Sequence, residues 1–229
     1  MIRLIHIITD SNIGGAGVWV LNFLKAYDKN KYLVSVALPK NSALVPKISE
    51  LGIKTHEIEG IVDESFSKKG IMEFIKLFKK EKPMIVHCHA SLSARIAAFL
   101  LGIKTVNTRH CLEEKSGFLK TLVKGFINNL LSDIIIGVSD VTCKNLLSQG
   151  ISKKKLRLVY NGVFPLKELS IDEKIKIKKD FNIPKQNKVV GIIARLEPVK
   201  NHKLFLEAGK ILLEKNKDLC GCAWKHHLH

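Results

Sequence analysis

The chain has 229 residues, of which 46% are hydrophobic and 26% charged, and it carries a formal net charge of +17; this length allows one complete domain and part of a second. Its apolar runs are far shorter than the roughly 20 residues of a membrane-spanning helix, and its apolar start is too short for a secretory signal, so we expect a cytoplasmic protein. The charge favours an anionic substrate or membrane surface, whereas nucleic-acid binding is not expected, because Lys supplies most of the charge and only 7% of residues are aromatic.

Short β-branched runs alternate along the chain with longer amphipathic stretches. The predicted strands cover residues 3–8, 32–38, 54–58, 84–88, 105–108, 133–138, 156–160 and 188–193. The predicted helices cover residues 17–27, 42–51, 68–80, 91–101, 117–131, 139–149, 171–182 and 202–216. Strands separated by helices imply right-handed crossovers, so the pattern predicts a doubly wound α/β fold, a parallel sheet with helices on both faces.

A hinge-like segment follows the seventh predicted strand. Asn161-Gly162 and the nearby Pro165 are typical of a turn between domains, which places a first domain at residues 1–163 and the beginning of a second at 164–217. Residues 218–229 carry Cys220, Cys222 and three histidines where the pattern requires another strand. We interpret them as an aberrant tail, and we expect no metal site there because the spacing matches no zinc motif.

The first predicted strand leads into a glycine-rich loop, Gly14-Gly15-Ala16-Gly17, and then a helix. Glycines allow a ligand to approach the backbone, and a helix N-terminus offers unpaired N–H donors. The loop lacks the GxGxxG spacing of a dinucleotide site, and no acidic residue follows the second strand in the place that such a site needs. It indicates either a phosphate-binding turn or simply a tight strand–helix connection.

Histidines stand at the ends of two consecutive strands, His87 and His89 after the fourth and His110 after the fifth. The carboxyl ends of parallel strands form the ligand crevice of such a sheet. As a group these histidines predict contact with a substrate, with His110 the first candidate and His89 the second. The alternative is that each histidine is structural.

Arg195 and Lys200 flank Pro198 in the loop between the last strand and the last helix. Two cations beside a helix N-terminus suit a diphosphate. The alternative is a pair of solvated side chains.

Taken in chain order, these motifs resemble glycosyltransferase family 4, whose members are retaining enzymes of the GT-B fold. The resemblance extends from residue 1 to about residue 217 and is carried by Gly14-Gly15-Ala16-Gly17, His87-Cys88-His89, Thr108-Arg109-His110, Val138-Ser139, Tyr160-Asn161-Gly162-Val163 and Ala194-Arg195-Leu196-Glu197-Pro198-Val199-Lys200-Asn201-His202. It implies two Rossmann-like domains facing across a cleft, with the acceptor on the N-terminal side and the nucleotide sugar on the C-terminal side. It also implies that neither a metal nor another cofactor is needed.

The resemblance further implies transfer from a UDP- or GDP-sugar to a sugar or a lipid-linked acceptor, in the synthesis of cell-surface polysaccharide or glycolipid. Fixed cations and helix dipoles would stabilise the charge that develops on the nucleoside diphosphate leaving group. The residues carried over are, for the donor diphosphate and sugar, Gly14, Gly15, Arg195 and Lys200; for catalysis at the transferred sugar, His110; and for the acceptor or cleft, His89 and Ser139.

The chain departs from the family pattern after Lys200, where the Glu-x7-Glu motif of the family is missing. The abrupt change after Asp218 is typical of a reading-frame shift or a truncated gene, so we expect little or no transferase activity from this chain alone. Two alternatives stay open: a sugar-nucleotide epimerase of the same fold, against which the Arg195–Lys200 loop argues, and a non-catalytic remnant or binding module.

The stretch 117–131 combines apolar side chains such as Phe118 and Phe126 with Lys120 and Lys124. Such a helix suits peripheral contact with an anionic membrane. The alternative, which we prefer at this stage, is an ordinary helix packed on the core.

Overall fold

The structure, a computed structural model, describes residues 1–61, 65–113, 117–194 and 196–215 and the backbone of 219–225. Its strands are β1 Ile2–Ile8, β2 Tyr32–Pro39, β3 Lys54–Ile58, β4 Ile85–His89, β5 Lys104–Arg109, β6 Ile134–Gly137, β7 Leu156–Leu158, β8 Lys188–Ala194 and β9 Leu219–Lys225. Its helices are α1 Gly15–Ala26, α2 Leu44–Ser49, α3 Lys68–Glu81, α4 Leu92–Leu100, α5 Phe118–Leu130, α6 Asp140–Ser148, α7 Ile171–Asp180 and α8 His202–Lys215. None of these helices, within the described ranges, has the length and apolar character that crossing a bilayer demands.

The first seven strands form one parallel sheet in the order β3-β2-β1-β4-β5-β6-β7. The predicted doubly wound parallel sheet is therefore confirmed. The chain builds outward from β1 to β3 and then returns to continue on the other side at β4. In such sheets the ligand crevice opens at the carboxyl ends of the two strands where the order reverses, here β1 and β4.

Alternating side chains of β1 enter two separate cores, as the period of a strand dictates. Ile5 and Ile7 pack in one core with Phe74 of α3. Leu4 and Ile8 pack in the other core, which includes buried side chains of α1 and α2. His6 lies on this second face, so α1 covers an imidazole as well as aliphatic side chains.

Helix α5 is held to the protein by its polar side. Arg95 of α4 donates to Oδ1 of Asn128 at 2.7 Å, and the Asn129 amide donates to the carbonyl of Gly150 at 2.8 Å. Gly125 is the buried residue of this helix, whereas Phe118 and Phe126 are 82% and 68% exposed. The interpretation of 117–131 as an ordinary helix packed on the core is therefore wrong, because the backbone at Gly125 and two asparagine side chains make the close contacts while the phenylalanines are exposed.

The chain forms two compact units, Met1–Phe164 and Pro165–His229; this division lies one residue from the boundary expected after residue 163. In the second unit β8 pairs in parallel with β9, from Lys188↔Leu219 to Ala194↔Lys225. Residues 219–225, which lie in the segment interpreted as an aberrant tail, thus form a parallel strand. Strands pair through backbone hydrogen bonds, which do not require β-branched side chains. Composition alone therefore did not predict this strand.

Candidate functional site

The loop after β1 brings the N-terminus of α1 to the reversal point of the sheet. Gly14 is the residue before the helix, in an extended conformation, and no side chain caps the first turn. A Cβ atom on Gly15 would meet nothing within 4 Å, whereas one on Gly14 would lie 3.2 Å from Oδ2 of Asp10. The backbone at Gly15 therefore borders open space, and the helix N–H donors beside it suit an anion.

Gly17 has a different role from the two preceding glycines. A Cβ atom there would lie 2.9 Å from Cδ1 of Leu44, a residue of α2 that is fully buried. The third glycine of the loop thus permits α1 and α2 to pack closely, which fixes the direction in which α1 leaves the loop.

Four histidine rings gather at the carboxyl ends of β1, β4 and β5. His6 of β1 is the register partner of His87 of β4, and their ring centroids are 4.7 Å apart. His89, two residues further along β4, stacks on His87 at 4.7 Å and on His110 at 5.2 Å. The cluster formed by His6, His87, His89 and His110 is hereafter called the histidine cluster.

Helix α1 covers the histidine cluster with an indole. The Trp19 ring lies 5.0 Å from the His89 ring and 6.2 Å from the His110 ring, between centroids. Phe23 contacts His6 at 4.7 Å with its plane inclined by 60°. The helix whose N-terminus carries the glycine loop therefore also packs on the histidines, which ties Gly14 and Gly15 to His89 and His110 in one arrangement.

Three of the four rings are joined by two contacts of hydrogen-bond length. Nδ1 of His6 lies 3.3 Å from Nε2 of His89, and Nδ1 of His89 lies 2.9 Å from Nε2 of His110. His87 makes a separate bond, with its Nε2 2.7 Å from Oγ1 of Thr108. The three linked rings, His6, His89 and His110, are called the histidine line below.

Burial keeps these imidazoles uncharged. Desolvation lowers the pKa of His87 to about 3, and the neighbouring His110 adds to this effect. Desolvation likewise holds the pKa of His6 and of His89 well below the ordinary value, with further lowering by neighbouring histidines. Desolvation and the nearby Arg109 lower the pKa of the half-buried His110. Neutral imidazoles offer one N–H and one lone pair each, so these rings interact through directed hydrogen bonds rather than through charge.

His6, His87 and His89 also present ring nitrogens within 4.8 Å of one another, and three histidines are a common zinc ligand set. The rings of His87 and His89, however, stack with planes inclined by only 22°. Their lone pairs lie in the ring planes and so run side by side instead of converging on one ion. The geometry suits hydrogen bonding better than coordination, and the absence of a metal requirement stays a prediction.

The segment that carries His110 is anchored on both sides. Arg109 forms an ion pair with Glu113, and Lys124 lies 3.7 Å from the same carboxylate. The Glu113 N–H donates to Oδ1 of Asn145 at 3.1 Å, and the Asn145 amide donates back to the Glu113 carbonyl at 3.2 Å. His110 is therefore presented by a fixed turn rather than by an unattached loop.

The structure also describes two further predicted site residues, Ser139 and Lys200. Ser139 follows β6 and caps α6, with its Oγ accepting from the Thr142 N–H at 3.1 Å. A role for Ser139 in binding the acceptor substrate or lining the cleft stays a prediction. Lys200 ends a 3-10 turn in the second unit, directly before Asn201, whose Oδ1 accepts from the Leu204 N–H at 3.2 Å and caps α8. Arg195 lies outside the described residues, so the diphosphate role of the Arg195–Lys200 loop also stays a prediction.

Sequence reasoning missed His6, Trp19 and Thr108. His6 interrupts the apolar part of β1, residues 4–8, and a buried polar residue there needs partners, which was the available signal. Trp19 and Thr108 gave no signal of their own, since an aromatic residue in an amphipathic helix and a threonine in a strand are ordinary.

Comparison with known proteins places the chain in a family. The profile of Glycosyltransferase Family 4 matches residues 13–165. The capsular polysaccharide biosynthesis glycosyltransferase CapH of Staphylococcus aureus is 26% identical over 223 residues, which cover 93% of this chain and 58% of that protein. The chain thus spans less than two thirds of this relative.

Solved structures share the fold. HepE from Anabaena, crystallised with UDP-glucose, superposes with a TM-score of 0.76 at 15% identity, covering 97% of this chain and 60% of that one. A putative UDP-N-acetylglucosamine 2-epimerase from Listeria monocytogenes gives 0.64 at 13% identity, covering 98% and 62%. At these identities the structures establish the Rossmann-like fold alone. The family profile, in contrast, matches more than half of the chain, and the chain therefore belongs to glycosyltransferase family 4.

Proposed function

We propose that the protein is a glycosyltransferase that moves a sugar from a UDP- or GDP-sugar to a sugar or lipid-linked acceptor in cell-surface polysaccharide synthesis. The observation that carries this proposal is the convergence of the open glycine turn of α1 with the His89–His110 pair at the point where the strand order reverses. The S. aureus relative, named for capsular polysaccharide biosynthesis, supports the acceptor class.

The chemistry of the site agrees with transfer from a nucleotide sugar. The N–H donors of α1 beside Gly15 stabilise negative charge on the departing diphosphate, and a neutral His110 directs a hydrogen bond to a hydroxyl of the transferred sugar. Lys200, beside the N-terminus of α8, supplies a cation for the diphosphate. The imidazoles of the histidine cluster are uncharged, so they would orient the donor through hydrogen bonds rather than through attraction to its phosphates.

Nucleotide binding is the first test, because the chain spans only 58% of its curated relative. We expect UDP or UDP-glucose to bind in calorimetry, and Lys200→Ala to weaken binding by about tenfold, the loss of one charge-assisted bond. Lys203→Ala is the matched control, since Lys203 is an exposed lysine of the same helix end, 3.9 Å from Glu207. Equal weakening by both variants, or no binding of UDP and GDP at all, would contradict the donor assignment.

The epimerase alternative is discriminated by its product. Structural neighbours include UDP-N-acetylglucosamine 2-epimerases, but they support the fold alone. An epimerase would convert UDP-N-acetylglucosamine without an acceptor, whereas a transferase consumes a donor only when it transfers or hydrolyses the sugar. Nuclear magnetic resonance of the sugar nucleotide after incubation separates the two, because only an epimerase would yield an epimerised sugar that is still attached to its nucleotide.

We also propose that α5 rests on the anionic inner face of a membrane, where a lipid-linked acceptor would be found. The side of α5 that faces away from the protein carries exposed Phe118, Leu119, Leu122, Val123, Phe126 and Leu130. The Arg95–Asn128 and Asn129–Gly150 bonds hold the helix in this orientation. Lys120, beside this face, and the net charge of +17 favour anionic lipid as the occupant.

Vesicle binding tests this surface. We expect the chain to sediment with vesicles that contain phosphatidylglycerol and to stay in solution with pure phosphatidylcholine. Phe118→Ser with Phe126→Ser removes two inserted aromatic side chains and is expected to lower partitioning at least tenfold. The matched control is Met72→Ser with Phe99→Ser, two exposed apolar residues of α3 and α4; a control that loses binding to the same extent would refute the assignment to α5.

A further inference from the structure

The histidine line connects the interior of the sheet to the open edge of the site. His6 is fully buried and His89 is 4% exposed, whereas His110 follows β5 at the crevice. The two contacts that join them, 3.3 Å and 2.9 Å, use both nitrogens of His89. His89 must therefore donate at one nitrogen and accept at the other, since a neutral imidazole has a single N–H.

Only two proton arrangements satisfy both contacts. In the first, His6 donates from Nδ1 to His89, His89 donates from Nδ1 to His110, and the proton of His110 is on Nδ1. In the second, every bond is reversed, so that His110 donates from Nε2 and the proton of His6 is on Nε2. The tautomer of the ring at the crevice is thus coupled to the tautomer of a ring in the core, two bonds away.

The buried end of the line decides between them. Nε2 of His6 is fully buried and has no hydrogen-bond partner among the described residues. In the second arrangement this atom carries an N–H without a partner, since the Trp19 and Phe23 rings that pack on His6 are weak acceptors at best. In the first arrangement it carries only a lone pair, and buried acceptors without a partner are less rare in proteins than buried orphan N–H groups.

We propose that His6 and His89 are positioning residues that fix His110 as the Nδ1–H tautomer, with its Nε2 occupied by His89 and its Nδ1–H presented to the crevice. Thr108 keeps His87 out of the line by engaging its Nε2. The histidine line therefore leaves His110 with its Nδ1–H donor on the ligand side, while the lone pair of its Nε2 is used by His89. On the proposed function, this donor would bond an oxygen of the transferred sugar; the tautomer itself does not depend on that function.

The test is the tautomer of His110 in the full chain, measured without any ligand. Protein labelled with ¹⁵N-histidine is studied at pH 7.5 by long-range ¹H–¹⁵N correlation, which distinguishes protonated from bare ring nitrogens. We expect a protonated Nδ1 and a bare Nε2 for His110, and a bare Nε2 for His6. A proton on Nε2 of His110 would overturn the proposal, as would one zinc ion per chain bound through His6, His87 and His89.

Two variants test the coupling itself. His89→Phe removes the partner of His110, and we expect the His110 ring to move to the Nε2–H tautomer that unconstrained histidine prefers. His87→Gln is the matched control, since His87 is equally buried on the same strand but bonds Thr108, and it should leave His110 protonated at Nδ1. An unchanged tautomer in folded His89→Phe would overturn the positioning role, and if that variant does not fold, the wild-type measurement still decides the tautomer. Nucleotide binding enters none of these readouts, so failure here is distinct from failure of the proposed function.

Discussion

Acidification should destabilise this protein well above the pH at which carboxylates are protonated, because the histidine cluster is buried in its neutral form. Burial lowers the pKa of His87 to about 3, from about 6.5 in the unfolded chain. Between these values the unfolded chain binds a proton that the folded chain does not. The stability that the neutral His87 contributes is therefore fully present above pH 6.5, and it is lost as the pH falls toward the pKa of His87 in the folded chain.

The magnitude follows from the same two values. On going from pH 7.5 to 5.5, His87 alone lowers the free energy of unfolding by about 1.4 kcal/mol. His6 and His89, whose pKa values burial also holds well below the ordinary value, act in the same direction and add to this loss. The change is appreciable beside the roughly 5–15 kcal/mol that stabilises a typical domain.

Urea unfolding at pH 7.5, 6.5 and 5.5, followed by circular dichroism, measures this dependence. We expect the uptake of more than one proton on unfolding near pH 5.5, and a decrease by about one proton in His87→Gln, which keeps a side chain able to bond Thr108. His202→Gln, which removes an imidazole of the second unit, is the control. A slope of less than one proton in the wild type, or an equal slope in His87→Gln, would show that these rings are not held neutral by burial.

Two further predictions concern the first unit. Gly125→Ala should lower the free energy of unfolding by about 1–3 kcal/mol in urea melts, because its Cβ atom would lie 2.4 Å from the carbonyl oxygen of Gln149, whereas Gly117→Ala, with nothing within 4 Å, should change it far less. Peptide mapping after brief treatment with iodoacetamide at pH 8 should find Cys111, which is exposed, modified and Cys88 unmodified, since burial raises the pKa of Cys88 to about 12; early modification of Cys88 would contradict its burial.

The fold was predictable because its signals are local and repeated. Strands such as β1, β2 and β6 are short, largely apolar runs, and each connection contains a helix, so one handedness rule leaves few topologies. Predicted and observed bounds differ by no more than three residues, as in β7, predicted to residue 160 and ending at Leu158. The resemblance to the family added the site residues, and the order of the sheet explains why the glycine turn and the histidines meet.

The sequence did not reveal which side of a helix or strand contacts the rest of the protein. A helix such as α5 has an apolar and a polar side in the sequence, and the usual rule turns the apolar side inward. The rule fails here because Gly125 allows a close approach to the backbone at Gln149 and Asn128 satisfies a buried arginine of α4. Similarly, no pattern could indicate that His6 would align with His87 across the sheet, since register between distant strands is a tertiary property.

The residues proposed for the donor differ between the two units in how firmly they are held. The histidine cluster is packed between a complete sheet and α1, with buried rings and short hydrogen bonds. In the second unit, no side chain that the structure describes is buried, and apolar residues such as Val189 and Ile193 of β8 are exposed. Lys200 therefore lacks the packed surroundings that fix a side chain before it binds, so binding must also supply the free energy of ordering it. On the proposed function, the first unit would therefore meet the sugar with side chains that are already fixed, whereas Lys200 would become ordered only when a diphosphate binds.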